Sequence, residues 1–409
     1  MRAPDPGASE IGQRVRMIRK RRGLSLDAVA GLAGISKPYL SHLETGKRNF
    51  ERRSLLENLA AALGCSVADL TGQPYLPPDR VTAEGKRAIT RIEQGCNDAT
   101  LQDVPDLRPR SLDELRRRVE RNAGLRDAGQ YGIAAEDADR VLVELQVHVA
   151  TSTGRERRDA AELVTFAAYN AFVVATTYGY FHLAQHAARR AYDAAMLTDR
   201  PELAAFAMFA RAPSIARNGG RHRAARLLDR SIAEAEALTA IRDEHTTGAE
   251  MYGLLHLMGA HWAARAQDAD SARTHLDEAT RVARLTGERN GFHQHFGPTN
   301  VQVWQVAIGT ELGDGPAAAE RVEREPVDVA VLDSTDRTAA LYRDLARAYG
   351  QAEGARDAEA IRHLDAADRL APQRIRQDPL ARELVAALSR RARRRVWELD
   401  SLRHRFGVG

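Results

Sequence analysis

Two short amphipathic segments near the start of the chain predict a pair of helices joined by a tight turn. Apolar residues recur at helical spacing over residues 26–33, directly after Ser25, a residue type that caps helix N-termini. Gly34 can adopt the positive φ of a tight turn, and Ser36 precedes a second segment whose leucines share one side. The other side of this second helix is polar. The pattern therefore predicts a compact apolar base presenting a polar helix that suits the major groove of DNA.

The flanking residues complete a small helical domain. Apolar periodicity predicts helices over residues 10–22 and 53–63, and Ser66 is placed to cap a last short turn through Leu70. We therefore predict a five-helix domain over residues 1–72. Residues 71–79 contain three prolines and a glycine, which is typical of a semi-rigid linker. Residues 73–110 are predicted to be this linker and a connecting helix that spans residues 80–95.

The segment GISKPYLSHLETGKRN, followed by GCSVADL, resembles the helix-turn-helix of the Xre/Cro group of repressors, a phage-repressor-like fold. The resemblance implies base-edge contacts by three residues: Lys37, Pro38 and His42. It implies sugar-phosphate contacts by another three: Ser25, Lys47 and Arg52. The DNA-binding candidates also include the neighbouring polar residues Ser36, Tyr39, Ser41, Arg48 and Asn49. An internal ion pair between Arg19 and Glu44 is expected by the same resemblance. A helical pair used only for packing is the alternative.

From residue 111 to residue 409 the chain shows helical periodicity without the alternation of β-strands. Small residues recur with offsets of twelve and then seven: Ala212, Ala224 and Ser231; Ala260, Ala272 and Ala279; Ala348, Ala360 and Ala367. Weaker triplets start at Phe172 and Ala307. This spacing resembles the tetratricopeptide repeat. Successive starts are 40, 48, 47 and 41 residues apart, longer than the standard repeat, so we expect extended helices or turns. The prediction is an all-α chain whose second part is an α-solenoid of tetratricopeptide-like hairpins for sensing and dimerisation.

A row of side chains three and six positions before each triplet start is rich in aromatic residues, although only 5% of the chain is aromatic. Such a row can line a binding groove on the concave face of a solenoid or fill the core between hairpins, and both interpretations stay open. With nearby polar residues, the candidate effector-binding set is Phe166, Tyr169, Asn170, Phe206, Phe209, Arg211, Leu257, His261, Asn300, Trp304 and Tyr342.

The charge distribution supports a nucleic-acid partner for the N-terminal domain. Residues 1–75 carry a net charge of +5, whereas the rest of the chain carries −1. Only two cysteines occur, and no apolar run is long enough to predict a membrane span, so we expect a cytoplasmic protein without a membrane partner. A further basic segment, residues 389–406, predicts a terminal capping helix.

Catalytic chemistry has little support in the sequence. His182 and His186 lie four residues apart on a predicted helix, a spacing that can hold a metal, but no third ligand is evident. We therefore expect no catalytic site, no metal and no cofactor. Taken together, the layout resembles the peptide-responsive, quorum-sensing regulators of bacteria. That resemblance implies operator DNA as partner, a homodimer, and a peptide or small-molecule effector. The alternatives are an interaction scaffold and, less favoured, a metal-dependent enzyme.

Overall fold

A computed structural model describes residues 10–75, 80–239 and 246–408, so residues 76–79 of the predicted linker lie outside the described residues. Within these ranges every regular element is a helix. The first five helices form a unit that we call the head: α1 Glu10–Arg21, α2 Leu26–Leu32, α3 Lys37–Glu44, α4 Arg53–Leu63 and α5 Val67–Thr71. This confirms the five-helix prediction, with α1 ending one residue early.

The remaining helices form a second unit that we call the body: α6 Arg80–Asn97, α7 Leu112–Asp127, α8 Tyr131–Ala134, α9 Ala138–Thr151, α10 Gly154–Thr177, α11 Phe181–Ala195, α12 Pro201–Arg217, α13 Arg221–Glu236, α14 Thr247–Arg265, α15 Ala269–Thr286, α16 Pro298–Leu312, α17 Gly315–Arg324, α18 Val329–Leu332, α19 Thr335–Gly350, α20 Asp357–Leu370, α21 Pro372–Arg376, α22 Pro379–Arg391 and α23 Trp397–Phe406. The predicted connecting helix, α6, packs against α9 within this unit.

The head folds as its turn and cap residues predict. The Ser25 hydroxyl accepts a hydrogen bond from the Ala28 amide at 3.1 Å, and the Ser36 hydroxyl accepts one from the Tyr39 amide at 3.3 Å. Gly34 has a φ of +69°, which disfavours any residue with a Cβ. The inward leucines of α3 are fully buried in the core of the head. The two helices are thus held at a fixed angle.

Five successive helix pairs build the body: α10 with α11, α12 with α13, α14 with α15, α16 with α17, and α19 with α20. Each predicted triplet places its first small residue on the first helix of a pair and its second on the next helix. Ala212, Ala260 and Ala348 are fully buried, because they lie where the helices of a pair approach most closely. The expected helical solenoid is confirmed.

The long repeat spacing arises from long helices and from chain inserted between pairs. Helix α10 has 24 residues and α14 has 19, and residues 287–297 and 325–334 separate later pairs. In the fourth pair the third triplet position, Pro326, is exposed beyond the end of α17. The pattern therefore breaks down at that position.

The prediction of one capping helix over residues 389–406 is wrong. Helix α22 ends at Arg391, Ala392 is extended with φ −62° and ψ 115°, and α23 begins at Trp397. The break lets α23 turn back onto α20 and α22, where Leu402 and Phe406 are buried. A continuous helix would carry these apolar side chains away from the core.

One described helix, α10, is long and apolar enough to cross a membrane by length and composition alone. Within its most apolar stretch, 72% of the residues are buried inside the protein. This burial is typical of the central helix of a packed domain.

Candidate DNA-binding face and ligand cavity

The outward side of α3 is open. Lys37, Pro38 and His42 are exposed, and Tyr39 and Ser41 are half-buried. Lys37 Nζ lies 2.7 Å from Asp27 Oδ2, but both side chains are exposed, so this pair is weak and can exchange for another anion. The helix therefore presents its predicted base-contacting residues to the outside.

A buried ion pair fixes α3 against α1. Arg19 donates from Nε to Glu44 Oε1 at 2.6 Å and from Nη2 to Glu44 Oε2 at 2.8 Å. A third donor reaches the Leu24 carbonyl at 3.0 Å, which satisfies the guanidinium further. The hydrogen bond with Glu44 raises the pKa of Arg19. The predicted pair is confirmed, and its two-point geometry holds the recognition helix at one angle.

The three predicted phosphate-contacting residues, with the DNA-binding candidates Ser36, Arg48 and Asn49, divide into two groups. Ser25 and Ser36 act as helix caps, and Lys47 is exposed. The other three contact the body: Arg48 Nη1 lies 2.5 Å from Glu353 Oε1, Arg52 Nη1 lies 2.6 Å from Gln267 Oε1, and Asn49 Oδ1 accepts a hydrogen bond from Arg390. One edge of the DNA-binding face is therefore docked on the body.

A cavity of about 360 Å³ lies where the head meets the body. The head supplies Arg53 and Glu57 from α4, and the body supplies the remaining walls, mainly from α10, α12, α14, α16 and α19. Its volume is within the usual range of small-ligand sites. Since α4 belongs to the DNA-binding unit, a ligand in this cavity would lie directly against that unit.

The cavity walls carry an unusual density of charge. Glu57 pairs with Arg53 at 3.3 Å, with Arg221 at 3.6 Å and also with Arg265. On the opposite wall, Glu311 Oε1 lies 2.8 Å from Arg347 Nη2, while its Oε2 accepts from the Arg53 amide at 3.2 Å. These carboxylates join the head to the body through charge-assisted hydrogen bonds.

Burial and charge act in opposite directions on these groups. Burial raises the pKa of Glu311, but the neighbouring charges of Arg347, His261 and Arg265 lower it overall. Burial lowers the pKa of Arg265 to about 9, helped by the nearby positive charge of Arg53. The site therefore holds ionised groups that are removed from bulk water.

The predicted effector-binding row separates into cavity and core. The residues that line the cavity are Tyr169, Phe209, His261, Asn300 and Trp304. The residues that lie elsewhere are Phe166, Asn170, Phe206, Arg211, Leu257 and Tyr342. Phe206 and Leu257 are buried in the core, and Asn170 donates to the Ala134 carbonyl at 2.8 Å. Phe166 and Tyr342 pack against the core, and Arg211 lies 3.9 Å from the centre of the Tyr192 ring.

The sequence prediction missed the charged residues of the cavity. They lie on helices such as α16 and α19, whose remaining residues are largely apolar. A charged residue within an apolar stripe, such as Glu311, Asp344 or Arg347, could have indicated a buried charged site. The predicted histidine pair, His182 and His186, is exposed on α11. Among the described residues there is no group of three or more His, Cys, Asp or Glu suited to a metal ion.

Comparison with known proteins finds a family match that coincides with the head. A family profile described as a helix-turn-helix domain matches residues 10–71. The immunity repressor protein of Bacillus phage phi105 is 28% identical over 145 residues, which are 36% of this chain and 88% of that protein. The regulator DdrOP3 of Deinococcus deserti is 47% identical over 61 residues, or 15% of this chain and 46% of that protein. The chain thus spans less than half of DdrOP3.

Two further proteins extend the comparison. A solved structure of Bacillus thuringiensis PlcR in complex with the peptide PapR7 and DNA aligns with 68% of this chain and 96% of that chain. The sequence identity is 12% and the TM-score is 0.30. The HTH-type regulator y4mF of Sinorhizobium fredii is 37% identical over 59 residues, which are 14% of this chain and 76% of that protein. With its capped, ion-paired α2–α3 unit, this chain belongs to the helix-turn-helix family of transcriptional regulators.

Proposed function

We propose that the protein is a cytoplasmic, sequence-specific regulator of transcription that binds operator DNA as a homodimer and senses a peptide or small-molecule effector in its body. The head corresponds to residues 1–72, residues 73–110 link it to the sensing part, and residues 111–409 sense and dimerise. The observation that carries this proposal is the exposure of Lys37, Pro38 and His42 on α3. The Ser25 and Ser36 caps of the two-helix unit and the buried ion pair of Arg19 with Glu44 fix this helix in place.

The contact between the docked edge of the head and the body gives the body a means of controlling DNA binding. Arg52 is placed by family resemblance to contact phosphate and Arg48 is a neighbouring DNA-binding candidate, but here they contact Gln267 and Glu353 of the body. DNA and body therefore compete for the same side chains. We infer that an effector in the neighbouring cavity changes how firmly the head is docked and so changes its affinity for DNA.

Two heads are needed for a specific complex. A single domain of this size buries little DNA surface, whereas a dimer reads two half-sites about 34 Å apart. A solution mass measurement tests this part of the proposal. A monomer on DNA with one half-site would contradict it.

Direct DNA binding is tested by fluorescence anisotropy with the DNA upstream of the protein's own gene and with an unrelated duplex. The double variant K37A/H42A is expected to lose discrimination between the two duplexes, by about 1–3 kcal/mol for each base contact removed. R52A is expected to weaken binding to both duplexes and reduce the salt dependence. The matched control K86A alters an exposed lysine of the body. Unchanged discrimination by K37A/H42A would refute the assignment of α3 as the recognition helix.

A further inference from the structure

The charges that line the cavity are not balanced. Eight arginines and six carboxylates face it. Six of the arginines form ion pairs with carboxylates: Arg53, Arg126, Arg265, Arg343, Arg347 and Arg374. The other two, Arg217 and Arg337, have no ion pair with any described residue. Among the described residues the cavity therefore contains two guanidinium groups without a direct ion pair, on which Asp336 and Asp378 act only at longer range.

Arg217 is the last residue of α12, and its guanidinium lies over an aromatic ring. Its guanidinium carbon lies 5.3 Å from the centre of the Phe181 ring. Burial lowers the pKa of Arg217 well below its usual value, and the positive charge of Arg53 lowers it further, whereas the negative charge of Asp378 acts in the opposite direction. The site as it stands is therefore unfavourable for the charged form of this side chain, which is the form that an arginine almost always keeps.

Arg337, in the first turn of α19, is held in place but not neutralised. Its Nε and Nη2 donate to the Asn300 amide oxygen at 3.1 and 2.7 Å, and its guanidinium carbon lies 5.6 Å from the Trp304 ring. Burial lowers the pKa of Arg337 to about 10. Asn300 therefore orients the guanidinium while leaving its charge available, which is a geometry suited to an incoming anion.

The surroundings of these two arginines narrow the class of ligand. Phe209, Val173, Met258 and Trp304 contribute apolar wall to the same cavity, and Trp304 lies beside Arg337. The six carboxylates that also line the cavity leave an excess of only two positive charges, which is too small to neutralise a polyphosphate. A planar guanidinium matches a carboxylate in two-point geometry, and the apolar wall matches a hydrocarbon or aromatic group.

We propose that the cavity binds an apolar carboxylate, with the carboxylate held by Arg217 and Arg337 and the apolar group against Trp304 and Phe209. This inference rests on the proposed function, because it names the class of effector for the same cavity. The carboxylate can belong to a free small-molecule acid or to the C-terminus of a short peptide, since both present the same chemistry. The limited volume of about 360 Å³ accepts only a small group in either case.

The test uses the full-length protein and five probes in calorimetry and thermal unfolding: 3-phenylpropanoate, its primary amide, leucyl-phenylalanine with a free carboxyl end, leucyl-phenylalanine with an amidated carboxyl end, and inorganic phosphate. We expect the two acids to bind and to raise the melting temperature, and the two amides to bind at least tenfold more weakly. Tighter binding by phenylpropanoate assigns a small-molecule acid, and tighter binding by the dipeptide assigns a peptide C-terminus. Equal binding of acids and amides, or an equal shift by phosphate, would overturn the proposal.

Two variants test whether Arg217 and Arg337 bind the ligand. R217Q and R337Q are expected to bind the preferred acid at least tenfold more weakly, whereas the control R284Q, at an exposed arginine of α15, binds normally. Without ligand, R217Q and R337Q are expected to melt no lower than the wild type, because each removes a buried charge that has no direct ion pair among the described residues. R343Q is expected to melt lower, because it removes the ion pair of Asp378 and leaves Asp344 paired with Arg347 alone.

A drop in melting temperature for R217Q and R337Q like that of R343Q would show that both charges are compensated, and would overturn the proposal. Operator binding by the unliganded wild type distinguishes a failure of the proposed ligand class from a failure of the proposed DNA-binding function. If the wild type binds operator DNA but no carboxylate, the assignment of the ligand class fails while the assignment of DNA binding stands.

Discussion

Glu57 is the point at which the stability of the head–body junction can be tested most directly. Its carboxylate faces three guanidiniums, those of Arg53, Arg221 and Arg265, and only 12% of its side chain is exposed. The variant E57Q keeps the shape of the side chain but removes the charge. Two or three cations then remain in the junction without a counter-charge.

The size of the effect follows from the burial of the partners. The side chains of Arg53 and Arg265 are 19% and 16% exposed, whereas that of Arg221 is 38% exposed and can be solvated instead. Removal of one partner from a buried ion pair costs about 3–5 kcal/mol, and the lower end applies here because the amide can still accept hydrogen bonds. We expect E57Q to lower the free energy of unfolding by about 3 kcal/mol.

Urea unfolding followed by tryptophan fluorescence and by circular dichroism measures this loss. Trp262 and Trp304 line the cavity, so their emission reports on the junction, while circular dichroism reports on all helices. The matched control E120Q removes a charge from an exposed glutamate of α7 and is expected to change stability by less than about 0.5 kcal/mol. If E57Q is no less stable than E120Q, the junction does not depend on this carboxylate and the reasoning is refuted.

Three further predictions concern the fold. Burial and the neighbouring His275 lower the pKa of His256 to about 4, so the folded protein keeps this ring neutral, and the stability present above pH 6.5 is lost as the pH falls toward 4. In urea unfolding we expect the free energy of unfolding to fall by about 2 kcal/mol between pH 7 and pH 5. This loss is expected to be smaller in H256Q but unchanged in the exposed control H182Q. In G253A the new Cβ would collide with the buried ring of Phe296, which predicts a loss of about 1–3 kcal/mol in the same measurement, partly restored by F296L. S36A removes the cap of the recognition helix and should cost about 1 kcal/mol in thermal unfolding, whereas an unchanged melting temperature would show that the cap is not needed.

Much of the fold was predictable because its signals are local. Ser25, Gly34 and Ser36 determine the two-helix unit through caps and one positive φ, and these act over only a few residues. The helix pairs of the body were predictable for a similar reason, since close packing of two neighbouring helices requires small residues at a regular spacing. The break after Arg391 was not predictable from periodicity, because it depends on where α23 docks.

The candidate cavity was only half predictable, for a geometric reason. Each residue advances a helix by about 100°, so one apolar stripe faces both the core and the edge of a cavity, and the sequence does not show where the boundary lies. Trp304 and Phe209 fall on the cavity side, whereas Phe206, three residues from Phe209, falls in the core. The charged wall depends on pairings between residues far apart, such as Glu57 with Arg265, and no periodic pattern encodes such pairs.

The placement of Arg53 makes the cavity and the DNA-binding face thermodynamically dependent on each other. Its guanidinium pairs with Glu57 and its amide donates to Glu311, so the same residue lines the cavity and anchors the head. One residue earlier, Arg52, which we propose to contact phosphate, contacts Gln267 of the body. A ligand that binds the docked and released arrangements with different affinity must shift the balance between them. By reciprocity, operator DNA must change the affinity for that ligand by the same factor. A ligand that favours docking is therefore expected to lower DNA affinity, and one that favours release to raise it.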